Sequence, residues 1–407
     1  MSDHVIFAAP FFMEATVKFI AGATHLKGVN LTLVSQDPVS KLPAEVRHGL
    51  AGHWQVRDGM DPAHLVDAAQ GLQQRFGKAR AYIATLEQLQ VPLAKAREAL
   101  GIPGLSADAA RNFRDKSRMK QVLKAHGVPC ARHVLATSAD QARRFAGECG
   151  YPLVVKPPAG AGARNTFRID NRQHLETCLE RYPLSDQHPT LFEEFVKGRE
   201  YSFDSVVIDG RPHWHSISRY LPSPLEVLEN AWIQWCVLLP RSIDGPEFDP
   251  IRQAAFDGIR ALGMETGLSH MEWFSMPGGR VAISEVGARP PGAQITSLLS
   301  YAHDLNFYRA WPRLMVFKEF EIPQRRYAVG AAYVRAPGQG RIRGVSGLNR
   351  AQQLCGGLVV EARLPNPGQP VSGTYEGDGY IIVRHPETAV VEKALKDILA
   401  TVRVELA

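Results

Sequence analysis

The sequence predicts an α/β protein of two or three domains, on three observations. Short apolar runs alternate with stretches of helical spacing early in the chain. Later runs succeed one another around Gly and Pro turns, as hairpins do. A length of 407 residues is enough for more than one core. Residues 4–9, HVIFAA, read as a buried parallel strand, the stretch from there to about His25 as a helix, and Val29–Val34 as a second strand, the opening of a βαβ sheet. Residues 67–76 have helical spacing, Ala79–Ala84 alternate as a strand, and Gln88–Leu100 form a helix stopped by Gly101. A small open α/β domain over residues 1–110 follows. It has no G-x-G-x-x-G after its first strand, so a dinucleotide site is not expected there.

Asp108–His126 reads as one helical segment closed by Gly127, with Lys116 inside it. From Tyr151 the chain gives a short apolar strand ending in Lys156, then a Gly/Ala loop, then a second strand. Such a loop can wrap backbone N–H groups around a polyphosphate while the lysine supplies a point charge; the alternative is a plain hairpin with a flexible loop. The runs LFEEFV and EYSFDSVVI flank Lys197-Gly198, and Asp209-Gly210 is a hairpin turn leading into RPHWHSI. Their acids Glu193, Glu194 and Glu200 suit an exposed strand edge, or a hinge whose backbone reads a purine edge while a carboxylate holds a ribose. Residues 218–240 contain Trp232, Trp235 and two proline breaks, and read as a loop-like segment whose aromatics pack a domain. It could also line an acceptor pocket. Asp249-Pro250 starts a helix that stops at Gly263, and Ala293 to about Phe317 looks helical. From Pro323 onward short strands, among them Val329–Val334 and Tyr380–Val383, precede a closing helix from Thr388 to about Val402. This tail is expected as a small, β-rich C-terminal subdomain, residues 321–407.

Composition narrows the function classes. Hydrophobic content of 45% and charged content of 22% describe an ordinary globular protein, and a net charge of +6 with scattered basic residues is weak support for anionic ligands and poor support for nucleic acid. Cys130, Cys149, Cys178, Cys236 and Cys355 form no C-x-x-C pair and read as reduced thiols of a cytoplasmic protein. The N-terminal run lacks a basic flank and is interrupted by Glu14 and Lys18, so neither a signal peptide nor a membrane span is expected.

The most informative stretch is LSHMEWFSMPGGRVAISEVGARPPG, from Leu268 to Gly292. Alternation puts His270, Glu272 and Phe274 on one face of one strand and Val281, Ile283 and Glu285 on one face of the next, with Pro277-Gly278-Gly279 as the turn. Folding back brings Glu272 opposite Glu285 or one residue from it. Like charges facing across a strand pair are destabilising unless neutralised, which a divalent cation would do. Hard oxygen ligands on stiff strands suit Mg²⁺, whose other positions go to water and nucleotide phosphates. Arg289 follows in a turn where a guanidinium could clamp a phosphate or carboxylate. A surface hairpin with solvated acids is the alternative.

The order of these pieces resembles the ATP-grasp superfamily. The likeness begins at TLEQLQVPLAKAREALGIPG, continues through FRDKSRMKQVLKAHGVPCARH, YPLVVKPPAGAGARNTFRI and FEEFVKGREYSFD, and ends at HMEWF and EVGARPPG. Within it the chain looks most like carboxylate–amine ligases of the L-amino acid ligase, biotin carboxylase and carbamoyl phosphate synthetase type. The resemblance implies a two-lobed core over residues 111–320, with a mobile lid at about 130–192. It implies ATP and Mg²⁺ (or Mn²⁺). Lys116 and Lys156 match lysines on the phosphates, and Gly160, Gly162 and Ala163 belong to the loop that closes over them. The Glu193 carbonyl and Val196 N–H, with Glu194 and Phe195 in the same hinge, match groups at the adenine, and Glu200 the ribose carboxylate. Glu272 and Glu285 match the metal ligands, and Arg289 the arginine that steadies the transferring phosphoryl group and the acyl phosphate. His270 is a candidate neighbour of the reacting centre, or a structural histidine.

One position departs from the pattern: Gly287 stands where the usual motif has an asparagine, a further metal ligand. One ion would then rest on Glu272 and Glu285 alone, or another residue would stand in. The implied reaction is ADP-forming ligation of a small carboxylate and an amine through an acyl phosphate. Alternatives are a carboxylase-type enzyme that activates bicarbonate and a non-catalytic ATP-binding regulator. Small-molecule partners are expected rather than nucleic acid or membrane, and a homodimer is compatible with the family.

Overall fold

The computed structural model describes residues 2–160, 166–230 and 233–407. The chain opens with β1 (Asp3–Ala8), α1 (Glu14–Ala23), β2 (Val29–Ser35), α2 (Ala44–His48), β3 (Gly52–Gln55), α3 (Pro62–Phe76), β4 (Ala79–Ile83) and α4 (Gln90–Leu100). The strands form a parallel sheet in the order β3-β2-β1-β4. Strand β1 is apolar from Val5 to Ala8 because both its faces are covered there: Val5 and Phe7 pack with Phe19 and Ile20, while Ile6 and Ala8 pack with Leu65, Leu72 and Leu93. The αL conformation of Gly101 ends α4, as the sequence predicts.

The single helix expected over Asp108–His126 is two, α5 (Ala107–Arg114) and α6 (Lys116–Ala125). Asp115 is extended between them and its carboxylate accepts hydrogen bonds from the N–H groups of Ser117 and Arg118. That N-cap restarts the helix and makes Lys116 its first residue, with its N–H on the Pro158 carbonyl at 2.8 Å.

Next come β5 (His133–Ala136), α7 (Ala139–Cys149), β6 (Leu153–Lys156), β7 (Phe167–Ile169), α8 (Arg172–Arg181) and β8 (Thr190–Glu194). They form an antiparallel sheet, β5-β8-β6-β7, with Phe145 of α7 and Leu175 and Leu179 of α8 packed on Leu153, Val155 and Phe192. This small two-layer unit falls where the lid is expected.

The remainder is β9 (Arg199–Ile208), β10 (Arg211–Leu221), α9 (Pro224–Glu229), β11 (Trp235–Leu239), α10 (Asp249–Ala261), β12 (Gly267–Ser275), β13 (Val281–Gly287), α11 (Ile295–His303), α12 (Phe307–Phe317), β14 (Ala328–Val334), β15 (Ile342–Ser346), α13 (Leu348–Cys355), β16 (Val359–Arg363), β17 (Gly379–His385), α14 (Thr388–Thr401) and β18 (Arg403–Leu406). Eight strands make one antiparallel sheet, β13-β12-β9-β10-β11-β14-β17-β16, and β15 pairs with β18. Three expectations change here. Residues 218–240 are not loop-like throughout: they end β10, form α9 and supply β11, an internal strand on which Trp235 is buried against Tyr333. The helix expected over Ala293–Phe317 is broken at Asp304, whose φ of 50° ends α11. The tail from Pro323, expected as a subdomain of its own, adds β14, β17 and β16 directly to the central sheet through the β11–β14 ladder. Among the described residues no helix is long and apolar enough to cross a membrane, and the five cysteines are free thiols.

Candidate active site

A cleft of ≈ 570 Å³ runs between the lid sheet and the face of β9, β10, β12 and β13. Every predicted site residue that the structure describes lines it: Lys116, Lys156, Gly160, Glu193, Glu194, Phe195, Val196, Glu200, His270, Glu272, Glu285 and Arg289. Gly162 and Ala163 lie outside the described residues. Residues 219–226 form part of the wall, with Glu87 from the N-terminal domain and Tyr375 from the C-terminal region.

On β12 the predicted alternation holds: His270, Glu272 and Phe274 face the cleft, and Met271 and Trp273 enter the core behind it. Glu272 pairs directly with Glu285. The expected alternation on β13 does not hold. A bulge at Ser284 puts Ile283 opposite Trp273 in the buried core while Glu285 keeps its place opposite Glu272. The two acids are electrostatically unlike. Burial, then the charge of Glu285, pushes the Glu272 carboxyl above its usual range. Burial works the same way on Glu285, but Lys116, with Nζ 2.8 Å from Oε1, together with Lys156 and Arg289 outweighs it and holds that carboxyl below its usual range. A lysine thus supplies part of the neutralisation that the sequence reading gave wholly to a metal. Glu200 is raised well above the usual range by burial and by Glu272.

Lys156 ends β6 and points at Glu193, Nζ to Oε1 3.0 Å. A second ammonium, Lys120, approaches the same oxygen at 3.3 Å and has no solvent exposure. Sequence reasoning missed Lys120, although it lies four residues after Lys116 and so on the same face of α6. Glu194 turns outward instead, its carboxylate accepting from the Arg132 N–H at 2.8 Å and from Arg132 Nε at 2.7 Å.

His270 is held by Asp204, Nδ1 to Oδ1 2.7 Å, with Tyr220 Oη 3.3 Å from its Nε2 and Glu272 Oε1 at 3.9 Å. Burial lowers the His270 pKa, the Asp204 carboxylate outweighs burial, and the net shift is upward. Asp204, itself fully buried, was missed; it sits opposite His270 in the β9–β12 ladder, a register that local pattern does not reveal. Arg289 donates from Nε to Glu87 and from Nη1 to the Pro290 carbonyl at 2.8 Å. Glu87 was also missed as a site residue.

Two facing carboxylates, of which Glu272 has no cation as close as the Lys116 of Glu285 among the described residues, suit a hard divalent cation that takes its remaining ligands from phosphate and water. Among the described residues no group of three or more His, Cys, Asp or Glu could enclose an ion. The donor set therefore fits Mg²⁺ bridging protein and nucleotide, and does not fit an all-protein cage.

Residues 121–298 match the family described as the ATP-grasp domain. Over those residues the chain is similar to an ATP-grasp domain. It is 28% identical over 236 residues to the carbamoyl phosphate synthase large chain of Mycobacterium sp. (strain JLS), which covers 56% of this chain and 20% of that protein. It is 24% identical over 271 residues to the L-arginine-specific L-amino acid ligase of Bacillus subtilis, 65% of each chain. The chain thus spans less than two thirds of the length of these relatives. The fold matches the crystal structure of the L-amino acid ligase from Bacillus licheniformis, with a TM-score of 0.80 and 19% identity over 100% of this chain and 99% of that one. The matched ATP-grasp segment does not contain the whole cleft: Glu87, Lys116 and Tyr375 reach it from outside residues 121–298.

Proposed function

We propose that the protein is an ATP-dependent, ADP-forming carboxylate–amine ligase acting on small molecules. The observation that carries this is the facing pair Glu272 and Glu285 in one cleft with Lys116, Lys156 and Arg289. Phosphoryl transfer is mostly positioning and charge neutralisation, so a site rich in fixed charge with no evident covalent nucleophile suits it. Glu272 and Glu285 would hold Mg²⁺ (or Mn²⁺), which supplies charge neutralisation at the phosphates. Lys116 and Lys156 bind and orient the polyphosphate, and the hinge around Glu193–Val196 with Glu200 takes the nucleoside. Arg289 holds the substrate carboxylate as it becomes an acyl phosphate. The lid sheet closes over the cleft and excludes water from that labile intermediate. The amine then displaces phosphate. We extend the proposal to a division of the chain near residue 110 and to a cytoplasmic setting.

The test is ADP release with Mg·ATP against a panel of amino acids, with and without bicarbonate. Amine-dependent ADP release with an amide or peptide product by mass spectrometry supports the ligase. Release that needs bicarbonate instead would make the protein a carboxylase-type enzyme. Tight Mg·ATP binding without turnover on any substrate would make it a nucleotide-binding regulator.

A further inference from the structure

We propose that Glu87 is a positioning residue for Arg289, and that the bare Cα of Gly287 gives it the room to be one. Glu87 opens the short 3₁₀ turn after β4 in the N-terminal domain, 202 residues from its partner in sequence, yet its carboxylate lies in the wall of the cleft. One oxygen, Oε2, accepts the Arg289 Nε–H, and the other lies 3.8 Å from Arg114 Nη1. The Pro290 carbonyl takes Nη1 of the same guanidinium at 2.8 Å. Two of the three guanidinium nitrogens are thus tied to the protein, and among the described residues Nη2 has no hydrogen-bond partner, which leaves it to meet an anion in the cleft. A planar guanidinium fixed at Nε can present its remaining N–H donors in one direction only, which pre-orients it for a phosphate or carboxylate.

Gly287 follows Glu285 by two residues on the same strand. A Cβ there would stand 3.4 Å from Glu87 Oε2 and 3.7 Å from Arg289 Cγ. A methyl group would just fit, but anything longer must compete with the Glu87 carboxylate for its place. The carboxylate thus sits in van der Waals contact with the place a Cβ at 287 would take, and a longer side chain grown toward it would meet it. It does so from a domain outside the matched segment, so the arginine is oriented only when that domain is docked.

The inference rests on the proposed role of Arg289 as the anion-holding group, and the test separates the two. With ¹⁵N-arginine labelling, and Arg289→Lys to assign the signal, the Arg289 Nε–H should be protected from exchange in the wild type and lose protection in Glu87→Gln. In Gly287→Asn, where Glu87 is retained but displaced, it should lose protection as well. Unchanged protection in both variants overturns the proposal. Inorganic phosphate titrated calorimetrically into protein saturated with Mg·ADP should bind about tenfold more weakly to Glu87→Gln than to the wild type. Removing a mere electrostatic spectator would instead tighten phosphate binding, because it strips a negative charge from the arginine, and that result also overturns it. Loss of Nε–H protection in a protein whose wild type binds no phosphate beside Mg·ADP would uphold the positioning of Arg289 and sink its proposed substrate role.

Discussion

At the residue scale the decisive asymmetry is between two identical side chains. Glu285 is held as the anion by Lys116, and Glu272 faces it without so close a cation. Glu285→Gln removes the ion pair and one proposed metal ligand together. Turnover should fall by about two orders of magnitude or more while the far-ultraviolet circular dichroism is kept, and near-normal ADP release would remove Glu285 from the site. Lys156→Ala should weaken Mg·ATP binding, measured calorimetrically; unchanged affinity would mean the lysine serves Glu193 alone. The hairpin was legible because its chemistry is local, with period-two alternation on β12, a Pro-Gly-Gly turn and an acid on each strand, whereas the bulge at Ser284 left no such trace. Glu87, Asp204 and Lys120 were not, and for different reasons. Glu87 and Asp204 meet Arg289 and His270 only through tertiary docking and strand register. Lys120 was visible at helical spacing from Lys116 but reads as an ordinary surface lysine until its partner Glu193 is known.

At the scale of elements, two small features set where site residues point. The Asp115 cap splits what periodicity reads as one helix, because both halves keep helical spacing and only the side-chain acceptor marks the restart. Asp115→Ala should lower stability by about 1 kcal/mol in urea unfolding and weaken nucleotide binding through Lys116, the first residue of α6. Gly198, between β8 and β9, lies so near the hairpin tip that a Cβ would come within 2.6 Å of the Ser275 carbonyl oxygen. Gly198→Ala should therefore cost about 1–3 kcal/mol by displacing the hinge from β12, read as a lowered denaturation midpoint. Residues 218–240 were misread because prolines 222 and 224 end β10 and begin α9, and the punctuation drew attention away from the apolar run WCVLL that follows.

At the scale of the molecule, the first domain is tied to the end of the large sheet as well as to the site. Glu361 on β16 accepts from Tyr380 at 2.8 Å and Tyr301 at 3.0 Å, and Lys18 of α1 stands 3.2 Å away. Burial would raise the Glu361 pKa, but these donors outweigh it and lower it from its ordinary value of 4.5. The stabilisation is thus fully present above pH 4.5 and is lost as the pH falls through the lower, folded-state value. Glu361→Gln should cost about 1 kcal/mol near neutral pH, and the difference from wild type should shrink on acidification below 4.5; a gap that grows instead would overturn the assignment. The α/β class was readable from the order of runs. The fusion of the tail with the central sheet was not, since a ladder between β11 and β14 leaves no local trace. That ladder bears on any attempt to excise the nucleotide-binding part. A fragment cut at residue 320 would keep β11 beside β10 but lose β14, baring one edge of Trp235–Leu239, where alternate backbone groups are left unpaired, on a strand whose side chains are all apolar. Such a fragment should self-associate through this sticky rim, forming oligomers visible by light scattering where the full chain stays dispersed.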